Sequence, residues 1–520
     1  MPAIEPTLSR AFYRRNEGEM SDNFDGILIK ERRIARLLWA AATLLMLAAA
    51  LPIAAQDDVT TQNAGSALDG AWITGPASNP LSHLNGPAFR TYGSPQPYDV
   101  PDFAPMTDLD AKLPHWIAFQ AEERYRYEGY DNSSFKAGSD GSYELNRFRL
   151  EADVKPNSWF RVSAQLQDAR PFFENPPIGP PNENRWDLKL AYAEVGNPDK
   201  HWFSLRVGRQ IINYNSTIIA DSQWRDQGRS YDAAVLNLKS PRASVGIFAA
   251  SAVVPQASGV SPHQEGNNIY GAYGRIKNPF PHSSLEPFVL WRVQPSEVVQ
   301  AALSKTTGKQ DEKAYGVRLK GRAGSSLDYS SEVVVESGTV GTEPIRAWAA
   351  NDGVAYQFKS LRTQPRLFAQ YDFASGTSNP SGGVHRTFDT MYPTAHDRFG
   401  IADQFGWQNI QAVRAGGTLV PHRRWSVTGQ GLDFWAVSAL DAVYNTSGGS
   451  IVANKTDHGL HIGEEADVYT WYELNRHFNL GGGYGWFGGG DFLSHVTNSH
   501  TYSYSYIVLN FKDNGQKPRE

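Results

Sequence analysis

A strict alternation of apolar and polar residues, repeated in segments of about ten residues, limits the fold more than any other feature of the chain. In segment 147–155, Phe148, Leu150, Ala152 and Val154 fall on one side, and every residue between them is charged. Because successive side chains of a β-strand point to opposite faces, this pattern predicts strands with one apolar and one charged face. The same alternation appears in segments 117–127, 160–167, 315–320 and 366–373.

Two all-β architectures can use such strands, a soluble sandwich or propeller and a transmembrane antiparallel β-barrel. A tilted strand of about ten residues spans the apolar band of an outer membrane, which is about 25 Å tall. Small residues such as Ala152 and Ala164 recur on the apolar face, where lipid tolerates them better than a filled core does. Aromatic residues cluster near strand ends, at Trp159, Trp202 and Trp425, as an interfacial girdle requires. These features favour the barrel.

The charged faces of the strands are predicted to line the lumen, because an arginine facing lipid at mid-depth costs about 2–4 kcal/mol. The predicted substrate-binding and pore-lining residues are Arg124, Arg126, Arg147, Arg149, Glu151, Asp153, Arg161, Asp168, Arg206, Arg318, Arg366 and Asp372. Guanidinium groups bind carboxylates bidentately, and the acids between them limit how tightly a polyanion is held. The alternative is that these charges pair with each other and stabilise the wall.

The N-terminal region carries the features of an exported chain. A basic stretch precedes an apolar run that ends in small residues: Lys30, Arg32, Arg33, Arg36, Leu37 to Ala50, and then 51–55. This order predicts a secretory signal peptide cleaved near Ala55, with a single membrane anchor helix as the alternative and Met20 as a candidate initiator. Residues 1–55 are therefore a predicted pre-region and signal peptide.

The rest of the chain divides into three predicted parts. Residues 56–114 are rich in Gly, Pro, Ser and Asn and are predicted to form a flexible periplasmic lead-in or a plug. Residues 115–511 form the barrel. Residues 512–520 form a C-terminal tail behind a last strand that ends at Phe511, and that strand resembles the signal read by the outer-membrane assembly machinery.

Composition and motifs exclude several classes of protein. The chain contains no cysteine, which excludes a disulfide scaffold, a thiolate metal site and a thiol nucleophile. The 49 Lys and Arg nearly balance the 54 Asp and Glu, so nucleic acid is not an expected partner. Residues 483–488 match the pattern G-x-G-x-x-G, which we interpret as a glycine-kinked strand. We interpret His396 and Asp403 as loop contacts and not as a metal site. We expect no cofactor and no catalytic residues.

An ordered series of short motifs resembles the alginate export (AlgE-like) family of outer-membrane porins. The motifs are 147–150, 165–170, 205–210, 228–232, 371–376, 387–393, 407–410, 441–445 and 462–464, and the resemblance covers about Trp116–Phe511. It implies a monomeric barrel of about 18 strands with an Arg-rich lumen. It also implies that anionic polysaccharide or oligosaccharide, such as polyuronate, passes across the outer membrane.

One residue departs from that pattern, and two other functions stay open. Arg209 shares the parity of Leu205 and Val207, so it would face lipid, and we interpret it as a rim residue. The first alternative function is a general anion-selective porin. The second is a carbohydrate-active or carbohydrate-binding protein, either embedded in the barrel or secreted.

Overall fold

Eighteen antiparallel strands form one closed barrel in the computed structural model. The structure describes residues 103–180, 182–197, 201–214, 217–300, 305–394, 396, 398–422, 424–453 and 459–515. Each barrel strand pairs with the next barrel strand along the chain, and β20 pairs with β1 to close the sheet. The barrel strands are β1 (Ile117–Asp131), β2 (Gly141–Asn157), β3 (Phe160–Asn175), β4 (Asn184–Gly196), β5 (Phe203–Gln210), β6 (Tyr231–Lys239), β7 (Ala243–Val253), β8 (His263–Lys277), β9 (Ser283–Gln300), β10 (Lys305–Ala323), β11 (Leu327–Val340), β12 (Glu343–Gln357), β13 (Arg366–Ala374), β14 (Ile410–His422), β15 (Trp425–Ala436), β18 (His461–Glu473), β19 (Phe478–Gly489) and β20 (Thr501–Asp513).

The remaining elements are small. A hairpin of β16 (Ala442–Tyr444) and β17 (Ser450–Ala453) lies in the connection between β15 and β18. The α-helices of the described residues are α1 (Pro105–Asp110) and α2 (Asp491–Ser494), and a 3-10 helix (Ser133–Phe135) follows β1. None of the helices in the described residues is long and apolar enough to cross a membrane. The predicted fold and strand number are confirmed, and the glycine-rich segment 483–488 lies within β19, as interpreted.

The strands place apolar side chains on the outer surface and polar side chains inside. Val207, Val335 and Ile507 expose 51%, 51% and 60% of their surface, whereas the adjacent Arg206 and Glu336 are buried. Trp159, Trp202 and Trp425 are exposed beside the short turns that join the strands at one end. We call this the turn end, and it also holds the start of β1 and the end of β20. The opposite end, with the long connections, is the loop end.

Two long connections fold into the loop end of the lumen. We call residues 211–230, between β5 and β6, loop A, and residues 375–409, between β13 and β14, loop B. Their buried apolar side chains join those of the barrel wall in one cluster, to which they contribute Ile218, Ile219, Phe388, Tyr392, Phe405 and Trp407. This end of the lumen therefore contains an apolar core, where the sequence predicted only a wet, charged interior.

The two loops are held to each other by their backbones. The N–H of Ala220 donates to the carbonyl oxygen of Tyr392 (2.9 Å), and the N–H of Tyr392 donates to that of Ile218 (3.0 Å). Arg229 donates from Nη1 to the carbonyl oxygens of Ala220 (2.9 Å), Tyr392 (2.6 Å) and Pro393 (2.8 Å). Loop A and loop B thus form a single inward structure.

Helix α1 docks on the turn end. Asp513, the last residue of β20, accepts hydrogen bonds from the N–H of Met106 (2.7 Å) and the hydroxyl of Thr107 (2.8 Å). The barrel thus ends two residues beyond the predicted Phe511. The signal peptide and residues 56–102 of the lead-in lie outside the described residues, so the domain boundaries there stay predictions.

Arg209 lies at the loop end of β5, as the rim interpretation requires, and its side chain is largely buried beside the partly exposed Asp232. It donates from Nε and Nη2 to the carboxylate of Asp232 (2.8 and 3.0 Å). Gly208 has a φ of +124°, and the two residues that follow it, Arg209 and Gln210, are both buried. A Cβ at Gly208 would lie 2.2 Å from the carbonyl oxygen of Ala191, so this position requires glycine.

Candidate functional site

Five cations converge on one side of the lumen, and we call them the basic wall: Arg124 and Arg126 of β1, Arg147 and Arg149 of β2, and Lys189 of β4. The register places Arg124 opposite Arg147, and the parity of each strand turns all four arginines inward. Each of the five side chains is at most 2% exposed. The structure therefore brings together four of the predicted site residues and adds a lysine that the sequence reading missed.

Loop A covers the basic wall with its carbonyl oxygens. Gln223 accepts from Nη1 of Arg124 (2.8 Å) and Nη1 of Arg147 (3.0 Å). Trp224 accepts from Nη2 of Arg124 (2.8 Å). The carbonyl oxygen of Gln227 accepts from Nζ of Lys189 (2.5 Å). The wall thus binds a stretch of backbone, and in this structure these cations do not face open water.

Asp226 brings a carboxylate into the same place. Its side chain is buried, and its Oδ1 contacts Arg124 and lies 3.7 Å from Nη2 of Arg126. Its Oδ2 is buried and accepts no hydrogen bond within the described part of the chain. Glu122 pairs with Arg147, and Glu128 lies 2.5 Å from Arg126. Three carboxylates therefore contact the five cations directly, and the buried carboxylates of Asp187 and Asp221 also interact electrostatically with Lys189.

Trp224 joins loop A to the wall and to loop B. Its ring stacks on His396 at a centroid distance of 3.7 Å, and the guanidinium of Arg126 lies 4.2 Å from the ring. Tyr506 of β20 meets the same ring edge-on at 4.9 Å. His396 is in turn 2.7 Å from Asp403 within loop B, the loop contact that the sequence predicted.

The predicted charges near the turn end form ion pairs along the wall. Arg161 binds Asp153 through two hydrogen bonds of 2.8 Å, and the carboxylate of Glu151 accepts from Ser163 and Gln165. Arg206 binds Glu194 at 2.8 Å, with its guanidinium 4.3 Å from the ring of Tyr192. These residues pair with each other or with neighbouring side chains. Their contacts therefore agree with the alternative interpretation, in which the charges stabilise the wall of the barrel.

The other predicted residues are dispersed around the barrel. Arg366 binds Asp328 at 2.6 Å, and Arg318 lies 3.8 Å from Glu332. Asp168 is 2.7 Å from its neighbour Arg170. Asp372 accepts from Asn351 (2.7 Å) and Gln370 (2.6 Å). They do not join the basic wall.

Wall carboxylates hold loop B by its amides, which the sequence reading missed. Glu336 accepts from the N–H of Asp389 (3.0 Å) and Glu465 from that of Ala402 (3.0 Å). Asp389 also pairs with Arg292 and accepts from the N–H of Met391 (2.7 Å). Burial would raise the pKa of Asp389, but the charge of Arg292 and these hydrogen bonds outweigh it and lower the pKa below its ordinary value.

The anchor at Asp389 should therefore tolerate mild acid. A carboxyl with a lowered pKa stabilises the fold above the ordinary value, about 3.9, and this contribution disappears as the pH falls below it. We expect hydrogen exchange at the Met391 amide, corrected for intrinsic rates, to stay slow from about pH 6 to about pH 4.5 and to accelerate below that. In Asp389→Asn, exchange should be faster throughout the range in which the native amide exchanges slowly, because the charge is absent. Acceleration of the native protein already between about pH 6 and pH 5 would contradict this anchor.

A further polar cluster lies on the outside of the barrel. Asp433, His461 and Glu464 offer ligand atoms within 4.8 Å of one another, and Nε2 of His461 is 2.8 Å from Asp433. The three side chains are partly or fully exposed. They are separate from the lumen and from the basic wall.

Comparisons with known proteins agree with this geometry. A family model described as alginate export matches residues 115–505. Among curated protein sequences, none is significantly similar to the chain. Among solved structures, the barrel resembles OccD3 (OpdP) of Pseudomonas aeruginosa, with a TM-score of 0.53, 10% identity, and coverage of 77% of this chain and 92% of that one.

Two further structures show the same fold. The outer membrane protein opdK of Pseudomonas aeruginosa has a TM-score of 0.52 at 11% identity, with 76% of this chain and 98% of that one covered. OccAB2 of Acinetobacter baumannii has a TM-score of 0.51 at 10% identity, with 76% and 97% covered. These are outer-membrane porins, and the likeness concerns the fold.

Proposed function

Since the chain belongs to the alginate export family and folds as an outer-membrane porin, we propose that it passes anionic saccharides through its lumen. The substrate class would be polyuronates or uronate oligomers. The observation that carries this proposal is the basic wall, where five cations from three strands face residues 223–227, which we call the tip of loop A. Because short turns of such barrels face the periplasm, the basic wall would lie on the side of the long external loops.

The chemistry of the wall suits a carboxylated sugar. Arginine keeps its charge at any physiological pH and offers a planar fork of N–H donors that matches a carboxylate. The five clustered cations would attract a carboxylate, while Glu122 and Glu128 would weaken each contact. Passage requires binding that is favourable enough for a solute to come in and weak enough for it to leave.

Permeation into liposomes tests this proposal. Purified protein would be reconstituted, and the influx of a uronic acid trimer compared with that of a neutral glucose trimer of the same length. We expect the uronate to permeate at least about tenfold faster, because about 1.4 kcal/mol of electrostatic preference gives that ratio. Liposomes with heat-denatured protein provide the background rate.

Three other results would contradict the proposal in different ways. Equal rates for both trimers would indicate a channel without charge selection. Fast chloride flux with neither trimer crossing would indicate a general anion porin for small solutes. Shortening of the uronate trimer in solution would indicate a carbohydrate-active enzyme.

A further inference from the structure

We infer that the basic wall is a carboxylate-binding site which loop A itself occupies, and that Asp226 is the built-in competitor which an anionic saccharide must displace. This inference rests on the proposed function for the identity of the saccharide. It adds that the chain's own carboxylate and backbone carbonyl oxygens occupy the site, so a saccharide carboxylate binds there only when residues 223–227 leave the wall.

The first support is that loop A uses the groups that a carboxylate ligand would use. The carboxylate of Asp226 lies between Arg124 and Arg126, and the carbonyl oxygens of Gln223 and Trp224 take other N–H groups of the wall. The side chains of Asp226, Arg124 and Arg126 are each 1% exposed. A saccharide carboxylate can therefore reach these guanidiniums only if the tip of loop A moves.

The second support is that the tip leaves polar groups unsatisfied. Within the described residues, Oδ2 of Asp226, Nε2 of Gln223, and Nε of both Arg124 and Arg147 are buried without a hydrogen-bond partner. Buried polar groups without partners are rare in folded proteins and cost free energy. An external carboxylate offers two oxygens with several lone pairs, so it can satisfy donors that the loop leaves open.

The third support is that the two halves of loop A are held differently. Residues 217–220 are fixed by apolar burial and by Glu332, which accepts from the hydroxyl of Thr217 at 2.7 Å. Residues 223–227 are held by polar contacts to the wall and by the ring of Trp224, which packs on His396 and Tyr506. Only residues 223–227, with the ring of Trp224, need to leave the wall, while the bridge from Ile219 to Tyr392 stays in place.

The charge of the saccharide determines whether it can replace Asp226 at the basic wall. With Asp226 in place three carboxylates contact the five cations of the wall; without it only two do, so the net charge of the wall becomes more positive by one unit. A saccharide that carries several carboxylates restores the lost charge and adds more. A neutral saccharide has nothing with which to replace Asp226.

The substitution Asp226→Asn tests this inference, because it removes the charge and keeps the size of the side chain. Single channels in planar bilayers would be recorded with two readouts, the chloride-to-potassium permeability ratio and the concentration of a uronic acid trimer that halves the current. We expect the ratio to rise at least about threefold and the half-blocking concentration to fall about tenfold. Asp328→Asn is the matched control, since it also removes a lumen carboxylate that pairs with an arginine, but outside the basic wall.

The two readouts separate this inference from the proposed function. If Asp226→Asn raises the ratio but no variant is blocked by the uronate trimer, the proposed function fails and occupancy of the wall by Asp226 stands. If the native channel is blocked while Asp226→Asn changes neither readout, or no more than Asp328→Asn does, the inference is overturned and the proposed function stands.

Hydrogen exchange of the native protein covers the case in which Asp226→Asn does not fold. We expect the amides of residues 223–227 to exchange faster when the uronate trimer is added, and those of residues 217–220 to keep their rates. Faster exchange in both halves, or in neither, would overturn the displacement of the tip. A glucose trimer of the same length is the control ligand.

Discussion

Reversing two charges of the basic wall, in the double substitution Arg147→Glu and Arg149→Glu, should lower uronate permeation by more than about tenfold. The double variant replaces two of the five cations of the basic wall with carboxylates, so the local net charge becomes more negative by four units. Two unit charges at about 4 Å interact by about 4 kcal/mol at the effective dielectric of a protein surface. A tenfold effect needs only about 1.4 kcal/mol of this.

The diagnostic quantity is the ratio of uronate to neutral trimer permeation, and not the total current. The new carboxylates also repel the carbonyl oxygen of Gln223, which loosens loop A and changes the size of the opening. Arg149→Gln alone should give an intermediate ratio. Arg322→Glu, a charge reversal at the exposed turn end, should leave the ratio near the native value. A double variant that folds and retains the native ratio would show that the basic wall does not select the solute.

Placing an arginine on the outer surface at mid-depth should destabilise the barrel by about 2–4 kcal/mol. Val333 lies near the middle of β11, exposes 40% of its surface, and pairs with Val317 of β10 on the outer face. In Val333→Arg the guanidinium must enter the apolar part of the bilayer or distort it. The free energy of unfolding would be measured by denaturant titration in lipid vesicles, with band shift on unboiled gels as the assay of folding.

Two variants of the same strand provide the controls. Val333→Leu keeps the surface apolar and should change the free energy of unfolding little. Ser337→Arg is also on the outer face but nearer the loop end, where the cost of an arginine falls to about 0–1 kcal/mol. If Val333→Arg and Ser337→Arg lower the free energy of unfolding equally, the cost of an outer-face arginine does not depend on its depth in the membrane. That result would contradict the placement of β11 across the bilayer.

The strands and the four arginines of the basic wall could be predicted because alternation is a local property. Once Phe148 and Leu150 are assigned to the outside, Arg147 and Arg149 must point inward, and neighbouring strands of a barrel share this inner face. Lys189 was missed since β4 breaks the alternation, and Lys189 and Leu190 are both buried. The register between β3 and β4 shifts at this level, and such irregularities leave no regular trace in the sequence.

The contents of the lumen could not be predicted, because they depend on contacts between distant segments. Loop A and loop B have no periodicity, and the contact of Trp224 with His396 joins residues far apart in the chain. Sequence reasoning also considered only side chains as partners for the arginines. The structure shows that the carbonyl oxygens of Gln223 and Trp224 take that role, and any residue type supplies a carbonyl.

The reversal potential of the native channel in a gradient of potassium chloride tests the central claim most directly. A lumen with the five cations of the basic wall on its inner face should pass chloride faster than potassium, so the reversal potential should have the sign set by chloride. The preference should weaken as the salt concentration rises, because salt screens the fixed charges. A potential with the sign set by potassium, or a correctly inserted barrel that carries no current, would contradict an anion-conducting channel built around the basic wall.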